Sequence, residues 1–159
     1  MTTNIRTATS ADVPQILRFI RALAEYEHLS DEIRATEEAL NATLFGAKRY
    51  AEVLLADWDG QPAGFALYYH NYSTFLAQPC IYLEDLFVDP PYRGRGVGKT
   101  LLKELARIAV ERGCARLDWS ALDWNRTAIE FYLRLGAVEL SGWSLYRLAG
   151  EALRRMASQ

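Results

Sequence analysis

One stretch limits the choice of fold more than any other: Ile81 to Arg112, IYLEDLFVDPPYRGRGVGKTLLKELARIAVER. Ile81 to Val88 is apolar and aromatic, broken only by Glu84 and Asp85, and this predicts a strand. Pro90 and Pro91 end it, because proline gives a ladder no donor. Three glycines then alternate with other residues from Arg93 to Gly98. Leu101, Leu102, Leu105, Ile108 and Ala109 recur at helical spacing and predict a helix over 96–112. Amides at the start of such a helix point outward without partners and can hold an anion. Arg93, Arg95 and Lys99 add positive charge. The stretch reads as a phosphate cradle beside two strand carboxylates.

Before it, Asn4 to Ala8 predicts a first strand. Pro14 opens a helix whose apolar side is Ile16, Leu17, Ile20, Leu23 and Ala24, extending toward Glu27. A second helix is expected over 32–44, closed by Gly46. Tyr50 to Ala56 and Ala63 to Tyr69 read as a hairpin around Asp59-Gly60, with His70 to Gln78 as a loop. After the central stretch come a strand over 116–121 and a helix over 127–135 capped by Asn125. A last strand pair is expected at 138–140 and 143–148, then a terminal helix over 149–157. The order β-α-α-β-β-β-α-β-α-β-β is an α/β layer with a mixed central sheet flanked by helices.

A chain of 159 residues, half of them hydrophobic, suits one domain over 1–159. A net charge of -2 gives no reason to expect nucleic acid or an anionic membrane as partner. No apolar run approaches the ~20 residues of a membrane span. The two cysteines, Cys80 and Cys114, make no secreted-type disulfide framework, and the polar N-terminus has no signal core. A cytoplasmic location is therefore expected. His28 and His70 are not spaced as metal ligands, so no metal is expected.

Two nucleotide motifs fail on spacing. A P-loop needs glycine five residues before Gly98, where Arg93 stands. A dinucleotide fingerprint needs G-x-G-x-x-G, whereas Gly94, Gly96 and Gly98 are spaced two and two. Arg93-Gly94-Arg95-Gly96-Val97-Gly98 instead resembles the acetyl-CoA signature of the GNAT superfamily of N-acetyltransferases. Asn125 to Tyr132, followed by Leu135-Gly136-Ala137, is similar to that family's second signature. Tyr82 to Val88, Tyr92-Arg93-Gly94, Tyr26-Glu27 and Gly64 to Tyr69 resemble the diamine (spermidine/spermine) acetyltransferases within it.

The resemblance implies a GNAT-type acyl-CoA N-acyltransferase fold with acetyl-CoA as donor. It implies that the cofactor arm pairs with the backbone of Leu86, Phe87 and Val88. The diphosphate would lie on Arg93, Gly94, Arg95, Gly96, Val97, Gly98, Lys99 and Thr100, with Asn125 and Tyr132 also at the cofactor. Tyr132 is implied as the acid that protonates the departing sulfur. Glu84 is favoured as the group that accepts the amine's proton, with Asp85 second. In a regular strand these two face opposite sides, and a bulge would change that. Glu27, Glu84, Asp85 and Trp119 are the expected substrate contacts. The substrate class is a small-molecule amine of polyamine or diamine type. Thialysine, another amino metabolite or a protein lysine stay open as acceptors, as does an acyl-CoA sensor that catalyses little. The family also implies a homodimer.

Overall fold

Five strands form one sheet in the order β1-β2-β3-β4-β5: Thr3–Thr7, Glu52–Trp58, Gln61–Ser73, Gln78–Val88 and Leu117–Trp119. The first four run antiparallel to their neighbours, and β5 pairs parallel to β4. The computed structural model describes residues 2–158. The chain divides into two compact units, Met1–Ser120 and Ala121–Gln159.

In the first unit, helix α1 (Val13–Tyr26) covers one face of the sheet. Its Ile16 and Phe19 meet Val53, Leu55, Phe65 and Phe87 in one buried cluster. Phe19 and Phe65 stack with ring centroids 5.6 Å apart. The short helix α2 (Glu37–Leu40) follows. Helix α3 (Val97–Glu111) takes the other face, burying Val97, Leu101, Leu102, Leu105, Ile108 and Ala109, the periodic side the sequence predicts. Just past its end, Arg112 grips Glu52 with two bonds of 2.5 and 2.8 Å, and Glu52 accepts from the Tyr68 hydroxyl at 3.3 Å. Arg112 draws the Glu52 carboxyl below its ordinary pKa, while burial and the Glu52 charge push Tyr68 up to about 12. Tyr68 is thus a core residue on the α3 side.

Asp59 and Gly60 both have positive φ, 47° and 79°, as the mirror-image two-residue turn requires. The hairpin of β3 and β4 is longer than expected: Ser73 still pairs with Gln78, so most of the expected 70–78 loop is strand. The expected helix over 32–44 is broken. A 3-10 turn at Ser30–Glu32 is followed by α2, which Thr36 caps by accepting from the Ala39 amide at 3.1 Å, and by one π-helical turn, Asn41–Phe45. The Arg34 guanidinium, bonded to the Asp31 and Ile33 carbonyls, satisfies backbone acceptors that a continuous helix would have used.

The second unit holds helices α4 (Arg126–Arg134) and α5 (Gly150–Ala157). The strand pair expected at 138–140 and 143–148 is not formed, so among the described residues the sheet has five strands and not seven. Alternating apolar residues favour a strand only when a neighbouring strand and a packed face receive them. Here Val138, Leu140, Trp143, Leu145 and Tyr146 remain exposed.

Candidate active site

The ladder between β3 and β4 carries one irregularity, and it falls at the two strand acids. Leu67 pairs with Asp85 and Tyr68 with Leu83, which leaves Glu84 as an extra residue without a partner. Side chains paired across a ladder share a face. Leu67, in contact with the α1 cluster, places Asp85 on the α1 side. Tyr69 pairs with Tyr82, and their rings lie 5.4 Å apart on that same side. The Glu84 charge acts on the Tyr69 hydroxyl, whose pKa is raised by burial first and then by Glu84 and Tyr82. The extra residue therefore lets Glu84 and Asp85 serve one face.

Glu27 joins them from α1, where it is the C-cap. The next residue, His28, has φ 61°, and the Leu29 amide returns to the Ala24 carbonyl at 2.8 Å, so the chain turns sharply just after the acid. Burial raises the Glu27 pKa. Asp85 is pushed up to about 6 by burial and then by the charges of Glu84 and Glu27. Glu84 is exposed and Asp85 half-buried. Among the described residues no group of three or more His, Cys, Asp or Glu side chains could hold a metal ion. Glu27 and Glu84 thus both act on Asp85, and Glu84 also acts on Tyr69, whose ring stands beside that of Tyr82.

Beyond Leu83, β4 runs on without β5, whose last pair is Leu83 with Trp119. Antiparallel ladders alternate pairs that exchange bonds with pairs that do not. The Asp89 amide bonds the Ala63 carbonyl at 2.9 Å. Counting back from that pair, the main chain of Phe87 faces β3 and that of Leu86 and Val88 faces the open side. The Phe87 side chain is in the α1 cluster. Leu86 and the Val88 amide thus face a side with no neighbouring strand, of the kind an extended amide-bearing arm can join, while the Val88 carbonyl accepts from Arg93.

The turn that follows is built for close approach. Gly94 and Gly96 have φ 74° and 84°, and a side chain on either would be strained there. Gly96 caps α3, so the free amides of its first turn face out of the bend. The two arginines of the turn do not project freely. Arg93 Nε donates to the Val88 carbonyl at 2.9 Å, and its guanidinium lies over the rings of Tyr26 and Phe87. Arg95 lies over Trp58, 5.3 Å from the ring centroid. Lys99 is exposed on the first turn of α3, and the Thr100 hydroxyl bonds back to the Gly96 carbonyl at 3.0 Å.

Trp119 pairs with Leu83, whose other partner is Tyr68, so the register puts its side chain on the α3 side of the sheet, opposite the acids. Tyr82 occupies the ring position on the acid face instead, with its hydroxyl 2.7 Å from Ser120 Oγ. Alternation alone pointed there, since Tyr82 stands two residues before Glu84. In the second unit Asn125 caps α4, accepting from the Ala128 amide at 3.3 Å. Tyr132 is half-buried on α4, its ring 5.4 Å from that of Phe131.

The model of the acetyltransferase (GNAT) family matches residues 16–137. Thialysine N-epsilon-acetyltransferase of Bos taurus is 43% identical over 98% of this chain and 97% of its own length. Spermidine/spermine N(1)-acetyltransferase-like protein 1 of Homo sapiens is 35% identical over 96% of this chain, which spans 23% of that longer protein. Among solved structures, an integron cassette protein from the mobile metagenome of V. cholerae superposes with a TM-score of 0.83 and 30% identity, covering 100% of this chain and 99% of that one.

Proposed function

Because the chain belongs to the acetyltransferase (GNAT) family and is an N-acetyltransferase, we propose that it acetylates the terminal primary amine of a small, flexible, dicationic substrate of the diamine class. One observation carries the substrate class: a single extra residue in β4 puts Glu84 and Asp85 on the face that also holds Glu27, Tyr69 and Tyr82. The charges of Glu84 and Glu27 add to burial in raising the Asp85 pKa, and such a cluster of acids is relieved by two positive charges better than by one.

The residues present fit acetyl-CoA. The open edge at Leu86 and the Val88 amide suits the amides of its arm, and the positive-φ glycines leave the turn amides clear for a diphosphate. When bound, acetyl-CoA supplies an activated thioester carbonyl. Main-chain amides over Gly94–Thr100 would hold the diphosphate, with Lys99 adding charge. Glu27 and Asp85 hold the substrate's ammonium groups. Glu84, the most exposed of the three acids, takes the proton that the attacking amine must lose, directly or through one water. Tyr132 would be the proton donor toward the cofactor's sulfur, and Asn125 keeps its helix in place. The reading includes a cytoplasmic homodimer. Two free cysteines support a reducing compartment, and sedimentation at micromolar concentration tests the dimer. No helix among the described residues is long and apolar enough to cross a membrane.

A second reading keeps the chemistry and changes the acceptor to thialysine, and the 43% identity to a thialysine acetyltransferase favours it. The deciding experiment incubates the purified chain with acetyl-CoA and spermidine, putrescine, thialysine, lysine or a lysine peptide, and follows free thiol. Highest kcat/KM on a diamine or polyamine supports the first reading. Highest kcat/KM on thialysine installs the second. Saturable acetyl-CoA binding without turnover on any amine overturns both and leaves a sensor.

A further inference from the structure

Arg93 belongs to the glycine-rich turn, yet its side chain leaves the turn. Its Nε donates to the Val88 carbonyl at 2.9 Å, on the open side of β4. The guanidinium carbon lies 4.7 Å from the centroid of the Tyr26 ring and 5.7 Å from that of Phe87. Tyr26 is the last residue of α1, and Glu27, its cap, acts on Asp85. One side chain therefore touches both the helix end that presents an acceptor-side carboxylate and the strand edge offered to the donor. We propose that Arg93 is a positioning residue that fixes the Tyr26–Glu27 helix end against the Val88 edge, and is not a ligand of the diphosphate.

The chemistry calls for arginine in particular. A guanidinium lies flat on an aromatic ring while its Nε–H points sideways to a carbonyl. A lysine ammonium keeps the charge but is a single point on a flexible stem, and cannot stack and donate sideways together. A diphosphate ligand would have the opposite tolerance, since lysine serves phosphate well as a point charge. The helix end also needs fixing. His28 holds a positive φ that a non-glycine residue resists, so the turn after Glu27 depends on contacts around it. The proposal rests on the acceptor reading above for its effect on amine use, and on the geometry alone for the coupling of Arg93 to Tyr26.

The test uses the full chain carrying Arg93→Gln, Arg93→Lys, Tyr26→Leu and the Arg93→Gln/Tyr26→Leu pair. Both arginine variants should raise the KM for the best amine about 5- to 20-fold, with coenzyme A affinity by calorimetry changed less than about twofold. The double variant should be no worse for amine KM than the poorer single one. A loss of coenzyme A affinity of about tenfold or more in Arg93→Gln, largely restored in Arg93→Lys with amine KM unmoved, overturns the proposal in favour of a phosphate contact. If no amine is turned over, the functional reading fails separately. The unsubstituted chain, Arg93→Gln, Tyr26→Leu and the pair still report in urea the coupling of Arg93 to Tyr26, expected at about 2- to 5-fold in the unfolding equilibrium constant. Additive unfolding effects would remove the contact and the proposal with it.

Discussion

Asp85→Asn should make the protein more stable at pH 8 while making it a poorer enzyme. In the folded chain burial, then Glu84 and Glu27, push the Asp85 carboxyl up to about 6, against 3.8 for an ordinary aspartate. A carboxyl whose folded pKa lies above its unfolded one favours the folded state at low pH, and that contribution is lost as pH rises from 3.8 through about 6. Each pH unit of displacement corresponds to roughly 1.4 kcal/mol, so the ceiling is about 3 kcal/mol, and partial solvent contact reduces it to about 2. Asparagine keeps the shape and never ionises. Its gain over the parent should be near zero around pH 4, grow to about pH 6, and stay level above that. At pH 8 this corresponds to about 4–8 °C in Tm for a chain of this size. Urea unfolding at pH 4.5, 6 and 8 measures it. A saturating diamine should shrink the gain at pH 8, because the ligand's charge neutralises the same repulsion. A gain equal at all three pH values, or a loss at pH 8, refutes the view that Asp85 is held ionised against its neighbours.

Gly64→Ala would place a Cβ 2.5 Å from the Phe87 carbonyl oxygen and 3.2 Å from the Val88 Cα, both backbone, so β4 must move. We expect a cost of about 1–3 kcal/mol in urea and a larger rise in KM for acetyl-CoA than for the amine; an unchanged acetyl-CoA KM would detach the Val88 edge from the donor. Asn125→Ala removes the α4 cap and should cost about 1 kcal/mol, with faster amide exchange at Ala128 and recovery in Asn125→Asp; unaltered exchange would show the cap to be idle. Tyr132→Phe should lower kcat about 10²-fold while coenzyme A binding by calorimetry survives, and unchanged kcat would remove Tyr132 from the acid role. Glu84→Gln should lose most activity near pH 7, where the amine is protonated, and recover toward pH 9.5. A loss equal across that range would assign Glu84 to positioning.

The sequence was most informative where one local rule sufficed. The helical period over 96–112 placed α3 almost to the residue, and the Asp59-Gly60 pair located its hairpin turn. The family signatures pointed to the acetyltransferase fold before any geometry. What stayed hidden depended on partners distant in sequence. Whether Glu84 and Asp85 share a face is decided by Leu67 and Tyr68 on another strand, so alternation within β4 could only leave it open. Trp119 looked like a substrate ring by composition, but its pairing with Leu83 sends it to the far face. Arg93 looked like a phosphate helper because its neighbours are glycines. Its bond to Val88 and its place over Tyr26 arise from packing between α1 and the turn. The strand pair expected after 138 had the right alternation but lacks the neighbour that alternation requires.

The unpaired residue in β4 has an evolutionary corollary. Without Glu84, the pairs Tyr68–Leu83 and Leu67–Asp85 would simply follow one another, and every other side chain in the strand would keep its side. A single codon gained or lost there adds or removes a carboxylate while the scaffold's wiring is conserved. The charge at this spot is thus a detachable module, which an indel of one position can change without altering the architecture around it.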